Sequence, residues 1–433
     1  MLLGLDVGTT GIKAVAVDAA GVARARASAA TPFAASADGT DMDVGDLRAA
    51  LAAVVAGLGP AREQVAGIGV AGMAESGAPF RAGRPLAPII AWHDGRGEET
   101  VGSLVRRFGP ALARWTGRRV RTVSSLAKLG WLLDHGLPEP DRWLGVPELV
   151  LFLLTGAEAT EYSLAARTGA YEVIERAWLP EVAEYVGVPV GVFPEVRAAG
   201  APMGGVSSEA TRRFGIPTGV PVTIAGHDHL AACAGLGAAG DDLLNSVGTA
   251  EIVLRRTDTV PDVGRALELD LAVTVWPGGK AWGILCSAAR SGVVLGELAA
   301  ELGRSPAELD LLAAAGDAPA GSPGERWAAA LAALADRTVA AGARVADLIG
   351  PHRRLVVFGG GSRSAPWLAA KAAAAGVPVV CSPEAEAAAG GAALAAGVAA
   401  GWWPSVAAGP TPPLDGAGEV DAGGSRATTM GSA

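Results

Sequence analysis

Cysteine is scarce in this chain: Cys233, Cys286 and Cys381 are the three among 433 residues. Their number is odd and their spacing fits neither a disulfide framework nor a zinc site, which favours a reducing cytoplasm. No basic run occurs, arginine is plentiful but scattered, and the net charge is -9. A nucleic-acid or anionic-membrane surface is therefore not expected. No stretch approaches twenty large uncharged residues, because the richest candidate, AEAAAGGAALAAGVAAGWW, consists of small residues broken by glycine. The opening MLLGLDVGTT lacks a basic segment and carries Asp6 where a signal peptide would be apolar. These absences predict a soluble cytoplasmic protein. Half of the residues are apolar, but much of that share is alanine and glycine, which pack closely and contribute little transfer energy each.

A chain of this length exceeds what one core usually serves, so two domains are expected. Leu2 to Val7, Ile12 to Asp18 and Val22 to Ala30 read as three strands of an antiparallel meander, joined by a glycine turn at Gly8 to Gly11 and by DAAG. DVGDLRAALAAVVAGLG then reads as a helix capped by Asp43, and VAGIGVAG as a buried strand. Residues 94–196 are mostly helical in pattern. GVPVTIAG gives a strand ending at Gly226, and a helix starts at Asp228. LLNSVG, AEIVLRR and LAVTVWPGG then repeat the meander, again with glycine in the first turn. Helical stretches at 293–302 and 325–349 lead to RLVVFGGG, a strand running into a glycine loop, then to a helix and the strand VPVVCS. The expected division is 1–222 and 223–405, with a loose Pro/Gly/Ala/Ser tail at 406–433.

Five stretches carry chemistry. In the first hairpin, a Gly-Thr-Thr-Gly turn directs backbone N–H groups and the hydroxyls of Thr9 and Thr10 into a concavity that suits an oxygen-rich anion, with Lys13 adding charge. Asp6 beside such an anion implies an intervening cation, for which magnesium through water is the natural choice. An ordinary hairpin explains the glycines equally well when this motif stands alone. NSVGTAE recreates the turn at Gly248 and Thr249 without the acid. Gly359, Gly360 and Gly361 at a strand end permit close backbone approach to a ring or phosphate. In AGHDHLAACAG, His227 and His229 flank Asp228. A zinc site would need further ligands and is disfavoured. Asp228 at a helix start is placed either as a proton-accepting base or as a plain N-cap. Glu75, Ser76, Trp92, His93, Asp94 and Arg96 follow buried strands, where small ligands bind. An indole face with carboxylates suits a polyhydroxylated substrate, against Trp92 as core and Asp94 with Arg96 as an ion pair.

The order GLDVGTTGIKAVAVD, GIGVAGMAESG, PIIAWHDGRG, KLGWLL, LFLLTGAEATEYSLAARTGAY, GIPTGVPVTIAGHDH, NSVGTAE and VVFGGGSRSAPWLAAKAAAAGVPVVCSPEAEAAAGGAALAA resembles the FGGY carbohydrate kinases over roughly residues 1–403. The resemblance implies an α/β fold of two ribonuclease-H-like domains of the actin and Hsp70 type, closing over a cleft for MgATP and a small sugar or polyol. Carried over by position, Thr9, Thr10 and Lys13 meet the phosphates, and Gly248 and Thr249 form the second phosphate loop. Gly360, Gly361 and Ser364 fall in the adenine-side loop. Asp6 and Asp228 approach the metal through water, with Asp228 as general base. Glu75, Trp92, Asp94 and His229 line the substrate pocket. Ala74 stands where glycerol kinases carry arginine, and His229 where glycerol kinases have glutamine and xylulose kinases asparagine, so neither substrate transfers. Ser364 replaces an asparagine, and the segment between Gly283 and Gly350 is short. The implied activity is ATP-dependent phosphorylation of a ketose or polyol hydroxyl, with a homodimer as an open option. A silent sugar sensor or a nucleotide-driven chaperone or filament protein would share the fold.

Overall fold

In the computed structural model, the residues described are 1–315, 319–382, 386–411, 414, 419–420 and 426–427. The chain divides into two compact units. The first comprises Met1–Gly235 with Val273–Trp282 and Ala388–Thr411; the second comprises Leu236–Ala272, Gly283–Ala387 and Pro412–Ala433. The division expected at 222/223 falls inside the strand Pro221–His227. The helix that follows that strand stays with the first unit because Ala231 packs with Ala71, Ala225, Ala392 and Ala395. Of the expected tail, Val406–Ala408 form a helical turn within the first unit. Glu419–Val420 and Arg426–Ala427 pair as short strands, with Glu419 opposite Val380. Residues 409–411 and 414 are also described, and the rest of that tail lies outside the described residues.

The first unit is built on the strand Leu2–Val7, which lies antiparallel to Gly11–Val17 and parallel to Gly67–Gly72. Ala23–Ala30 flanks one side and Pro221–His227 the other. The central strands are buried on both faces, as their almost wholly apolar sequences, broken only by Asp6, require. One face packs Leu3, Leu5, Ile68, Val70 and Ile224 against Leu47 and Leu51 of the helix Val44–Gly57, whose N-cap Asp43 accepts from the Gly45 N–H as the sequence predicts. The other face meets the alanine-rich helix Ala387–Ala399 so closely that a Cβ at Gly4 or Gly69 would lie 1.8 Å from a backbone oxygen, that of Ala389 or Ala392 respectively. Small residues here set the helix-to-sheet distance. Residues 94–196 supply the helices Glu98–Phe108, Pro110–Trp115, Ser125–Asp134, Val146–Thr155 and Pro180–Val186.

In the second unit, Asp242–Val247 lies antiparallel to Glu251–Thr257 and parallel to Arg354–Phe358, which in turn runs parallel to Val379–Cys381. Trp282–Ala289 flanks Glu251–Thr257. This is the strand order of the first unit, so the repeat seen in the sequence is a repeat of topology. The helices Ser291–Glu301 and Pro323–Ile349 match the expected helical stretches. Among the described residues, no helix is long and apolar enough to cross a membrane.

Candidate active site

Strand register decides what meets in the first unit. Val7 pairs with Gly72, and Gly72 with His227, so three parallel strands end on one rung. Directly beyond that rung come the Gly8 turn, the segment leading to Glu75, and Asp228. Asp6 is one rung earlier, opposite Ala71 and Lys13. Ligands of open α/β sheets bind at such carboxyl ends. A bulge between Ile224 and Gly226 delivers the last of these segments. Gly226 has φ 114°, and a Cβ there would lie 2.5 Å from Ser163 Oγ, so glycine is required.

The first turn is tied rather than open. Gly8 N–H donates to Gly11 O (3.0 Å), and Thr31 Oγ1 donates to Gly8 O (2.6 Å). Thr9 Oγ1 accepts from the Trp92 indole N–H at 2.8 Å, while the Trp92 backbone N–H donates to Ser76 Oγ. The candidate phosphate turn and the candidate pocket wall are thereby joined. Thr10 is exposed and Lys13 half-buried.

Asp228 opens the helix Asp228–Gly235. Its Oδ1 accepts from the His229 backbone N–H (2.6 Å) and lies 3.2 Å from His227 Nε2 and 3.9 Å from His229 Nε2. The three side chains form a compact group, with the two imidazole rings perpendicular and 5.2 Å apart. Burial first, then His229, Arg167 and Arg118, push the His227 imidazole well below its ordinary range, so it is neutral. The His227 backbone N–H donates to Ser163 Oγ (2.9 Å), which donates to Glu161 Oε2 (2.6 Å). Burial raises Glu161 to about 7, against the hydrogen bonds from Ser163 and the Gly278 N–H.

Glu75 sits at φ 69°, an uncommon conformation for a residue with a side chain. Its Oε1 takes both Arg118 Nη1 (3.0 Å) and Arg167 Nη2 (2.6 Å). Arg118 Nη2 also donates to Ser124 Oγ and Arg167 O. Burial first, and then Arg167, lower the Arg118 guanidinium to about 10, against the pull of Glu75. Asp94 takes the ion-pair alternative. Its carboxylate accepts from the Thr40 N–H, the Arg96 N–H and the Arg96 guanidinium, and these bonds overcome burial to hold it at about 2. Lys128, lowered to about 8 mainly by burial, donates to the Asp94 carbonyl.

In the second unit, Ser246 pairs with Phe358, so the Gly248–Thr249 turn and the Gly359 loop leave one end of one sheet. Gly248 and Thr249 are exposed. Gly359 has φ 95°, and a Cβ there would stand 2.7 Å from Val247 O; a Cβ at Gly361 would stand 2.3 Å from Val247 Cγ1. Gly360 opens a short helical turn, and Ser364 is the N-cap of Ala365–Ala375, accepting from the Trp367 N–H at 3.3 Å.

Sequence reasoning missed Arg118, Arg167, Glu161 and Ser163. The first had a signal in GRRVRT, three arginines within residues 117–122, and the others lie in TEYSLAART.

Two family models match, the N-terminal domain of the FGGY family of carbohydrate kinases over residues 1–235 and the C-terminal domain over 314–400. An L-fuculokinase of Salmonella typhi is 31% identical over 298 residues, 65% of this chain and 63% of the relative. A xylulose kinase of Lactococcus lactis is 26% identical over 58% of this chain and 52% of its own. The aligned part of the chain thus spans about 63% of the length of the fuculokinase. Among solved structures, a kinase titled "xyloylose kinase" from Brucella ovis superposes with TM-score 0.84 at 22% identity, covering 95% of this chain and 93% of that one. Plasmodium falciparum glycerol kinase with ADP superposes at 0.80 and 17% identity, covering 93% and 90%. These likenesses establish the two-domain actin and Hsp70 type of fold. With its N-terminal match alone covering more than half of the residues, the chain belongs to the FGGY family of carbohydrate kinases.

Proposed function

We propose that the protein transfers the γ-phosphoryl group of ATP to a hydroxyl of a small sugar or polyol, with Asp228 as general base. The observation that carries this reading is the shared rung of Val7, Gly72 and His227, which sets Asp228, the Gly8 turn and Glu75 at one sheet end. Asp228 Oδ1 is held by the His229 N–H and by His227 Nε2, so the carboxylate is oriented to take the acceptor proton as the oxygen attacks. General bases of this kind contribute about 10²- to 10⁴-fold. Phosphoryl transfer otherwise asks for positioning and charge neutralisation. In this reading, Thr10, Lys13 and the N–H groups of the Gly8 turn that its internal bond leaves over hold phosphate oxygens, and in the second turn Thr249 does so, the Gly248 N–H being given to Ala250 O (3.1 Å). Gly359 to Gly361 let the backbone approach adenine, with Ser364 closing the loop as a cap. Trp92 presents an indole wall to the acceptor and His229 a polar edge.

Asp6 and Asp228 are hard oxygen donors at one strand end, a donor set that fits Mg²⁺ held through water. Mg²⁺ would supply neutralisation of phosphate charge. The expected outcome of Asp228→Ala is loss of ADP release by about 10²- to 10⁴-fold with ATP affinity nearly unchanged, read by a coupled assay and by calorimetry. Undiminished turnover in that variant removes the assignment.

A further inference from the structure

We propose that Glu161 and Ser163 are positioning residues for the candidate base: they hold the bulged strand end at Gly226 and His227 so that Asp228 is aimed, and they loosen it when Glu161 takes up a proton. The inference rests on the kinase reading above and supplies a control on its base.

Asp228 is fixed from two sides. The helix it opens packs Ala231 with Ala71, Ala225, Ala392 and Ala395, and the strand before it ends in the bulge between Ile224 and Gly226. That bulge lies on the Glu161 and Ser163 side chains, since a Cβ at Gly226 would stand 2.5 Å from Ser163 Oγ and 2.9 Å from Glu161 Oε2. The next residue is tied to the same pair: the His227 N–H donates to Ser163 Oγ (2.9 Å), and His227 Nε2 lies 3.2 Å from Asp228 Oδ1.

Glu161 sets the direction of these hydrogen bonds. Among the described residues, its carboxylate meets donors: the Gly278 N–H at Oε1 (2.9 Å), and the Ser163 N–H (2.7 Å) and Ser163 Oγ (2.6 Å) at Oε2, with the Tyr162 N–H adding to them. While Glu161 is ionised, the Ser163 hydroxyl gives it a hydrogen bond and turns lone pairs to the His227 N–H. A carboxylic acid brings a donor of its own to a place where donors already point, so one of these bonds must break or reverse. At Oε2 the reversal makes Ser163 Oγ accept from Glu161, and the freed hydroxyl proton competes for the side that the His227 N–H occupies. At Oε1 the bond lost is that of Gly278, next to Pro277, whose Cγ lies 3.3 Å from the same Cβ position at Gly226. Either change falls on groups that touch the bulge.

Burial raises the acid to about 7 against these donors, so the change is met near neutral pH. The other titratable and charged groups on the elements packed around Glu161 are Tyr162 on its own helix, Glu148, which accepts from Thr160, and Glu195 with Arg197, bonded to each other on the paired strand. Tyr171, the exposed Lys280, and His227, Asp228 and His229 beyond the bulge complete the set. Arg118 and Arg167 act on His227 by charge.

The test follows ADP release by the full chain as a function of pH. For the wild type, kcat is expected to fall as pH drops through about 7. Glu161→Gln places a permanent donor where the protonated acid has one. It should lower kcat by about 10- to 100-fold at every pH, the range of a misplaced catalytic group, without that acid limb and with KM for ATP nearly unchanged. Ser163→Ala should lower kcat by a similar factor, and Ser163→Thr, which keeps the hydroxyl and guards against misfolding, should restore most of it. Amide hydrogen exchange at 226–231, corrected for the intrinsic effect of pH, reads the strand end without turnover. Protection of the His227 amide should drop about tenfold or more in Ser163→Ala and in Glu161→Gln. A Glu161→Gln protein with wild-type kcat, or one that keeps the acid limb, overturns this proposal and leaves the kinase reading standing. A wild type that releases no ADP with sugars and polyols, while exchange at His227 still follows both substitutions, removes the kinase reading and leaves the hold on the strand end. Exchange that ignores both substitutions overturns the proposal.

Discussion

Lys371 and Glu251 form an ion pair in the second unit with almost no exposure on either side, 1% and 0%. Glu251 closes the hairpin that carries Gly248 and Thr249, opposite Val247. Its Oε1 also accepts from Thr338 Oγ1 (2.6 Å), and Oε2 from Ser291 Oγ. Replacing Lys371 with Met removes the cation and keeps the volume, leaving a fully buried carboxylate with hydroxyl donors alone. Breaking a buried pair from one side costs about 3 to 5 kcal/mol. Burial raises the Glu251 pKa, but Lys371 and the hydroxyl donors outweigh it and hold the carboxyl below its ordinary value of 4.5. The stabilisation is therefore fully present above that value and is lost as pH falls through the depressed folded one. In the variant, the orphaned carboxyl escapes by protonation, so the deficit should be largest near neutral pH and shrink toward pH 4. Hydrogen exchange of the amides in 242–257 measures this locally and needs no two-state assumption for a chain of two units. Glu251→Gln added to Lys371→Met should recover at least half of the loss. A single variant that costs under about 1 kcal/mol, or loses the same amount at both ends of the pH range, refutes the reasoning.

Gly69→Ala should destabilise by roughly 2 to 3 kcal/mol, because its Cβ would stand 1.8 Å from Ala392 O; Gly191→Ala, with nothing within 4 Å, is the control in thermal melts. Asp94→Asn should cost about 2 kcal/mol at neutral pH, since Asp94 is held at about 2 against an ordinary 3.8. That stability is present above the ordinary value and lost as pH falls through about 2, so melts of the two proteins should converge in acid. A change in KM without loss of stability would instead return Asp94 to the acceptor.

How far the sequence could be read follows from the range of the interactions involved. The two glycine hairpins, the capped helix at Asp43 and the helix beginning at Asp228 are local in origin. They arise from apolar period, turn chemistry and caps, all written within a dozen residues. The Glu75 cluster is not local, because Arg118 lies 43 residues from Glu75 and Arg167 lies 92. Arginines that look scattered along the chain converge once Ser125–Asp134 and the turn after Ser163 are packed. By sequence Asp94 suits a pocket wall and an ion pair alike, since its neighbour Arg96 fits either; the bond from the Thr40 N–H, 54 residues away, that joins the ion pair is set by the fold.

The sequence alone determined the duplicated strand order, the two Gly-Thr turns and the position of Asp228 at the start of a helix, because backbone geometry and burial pattern act between near neighbours. Tertiary structure decided which strand ends share a rung, which carboxylates are spent on arginines, and that the helix after His227 remains with the first unit. Those outcomes depend on register and on close packing against an alanine-rich helix, which no single segment encodes.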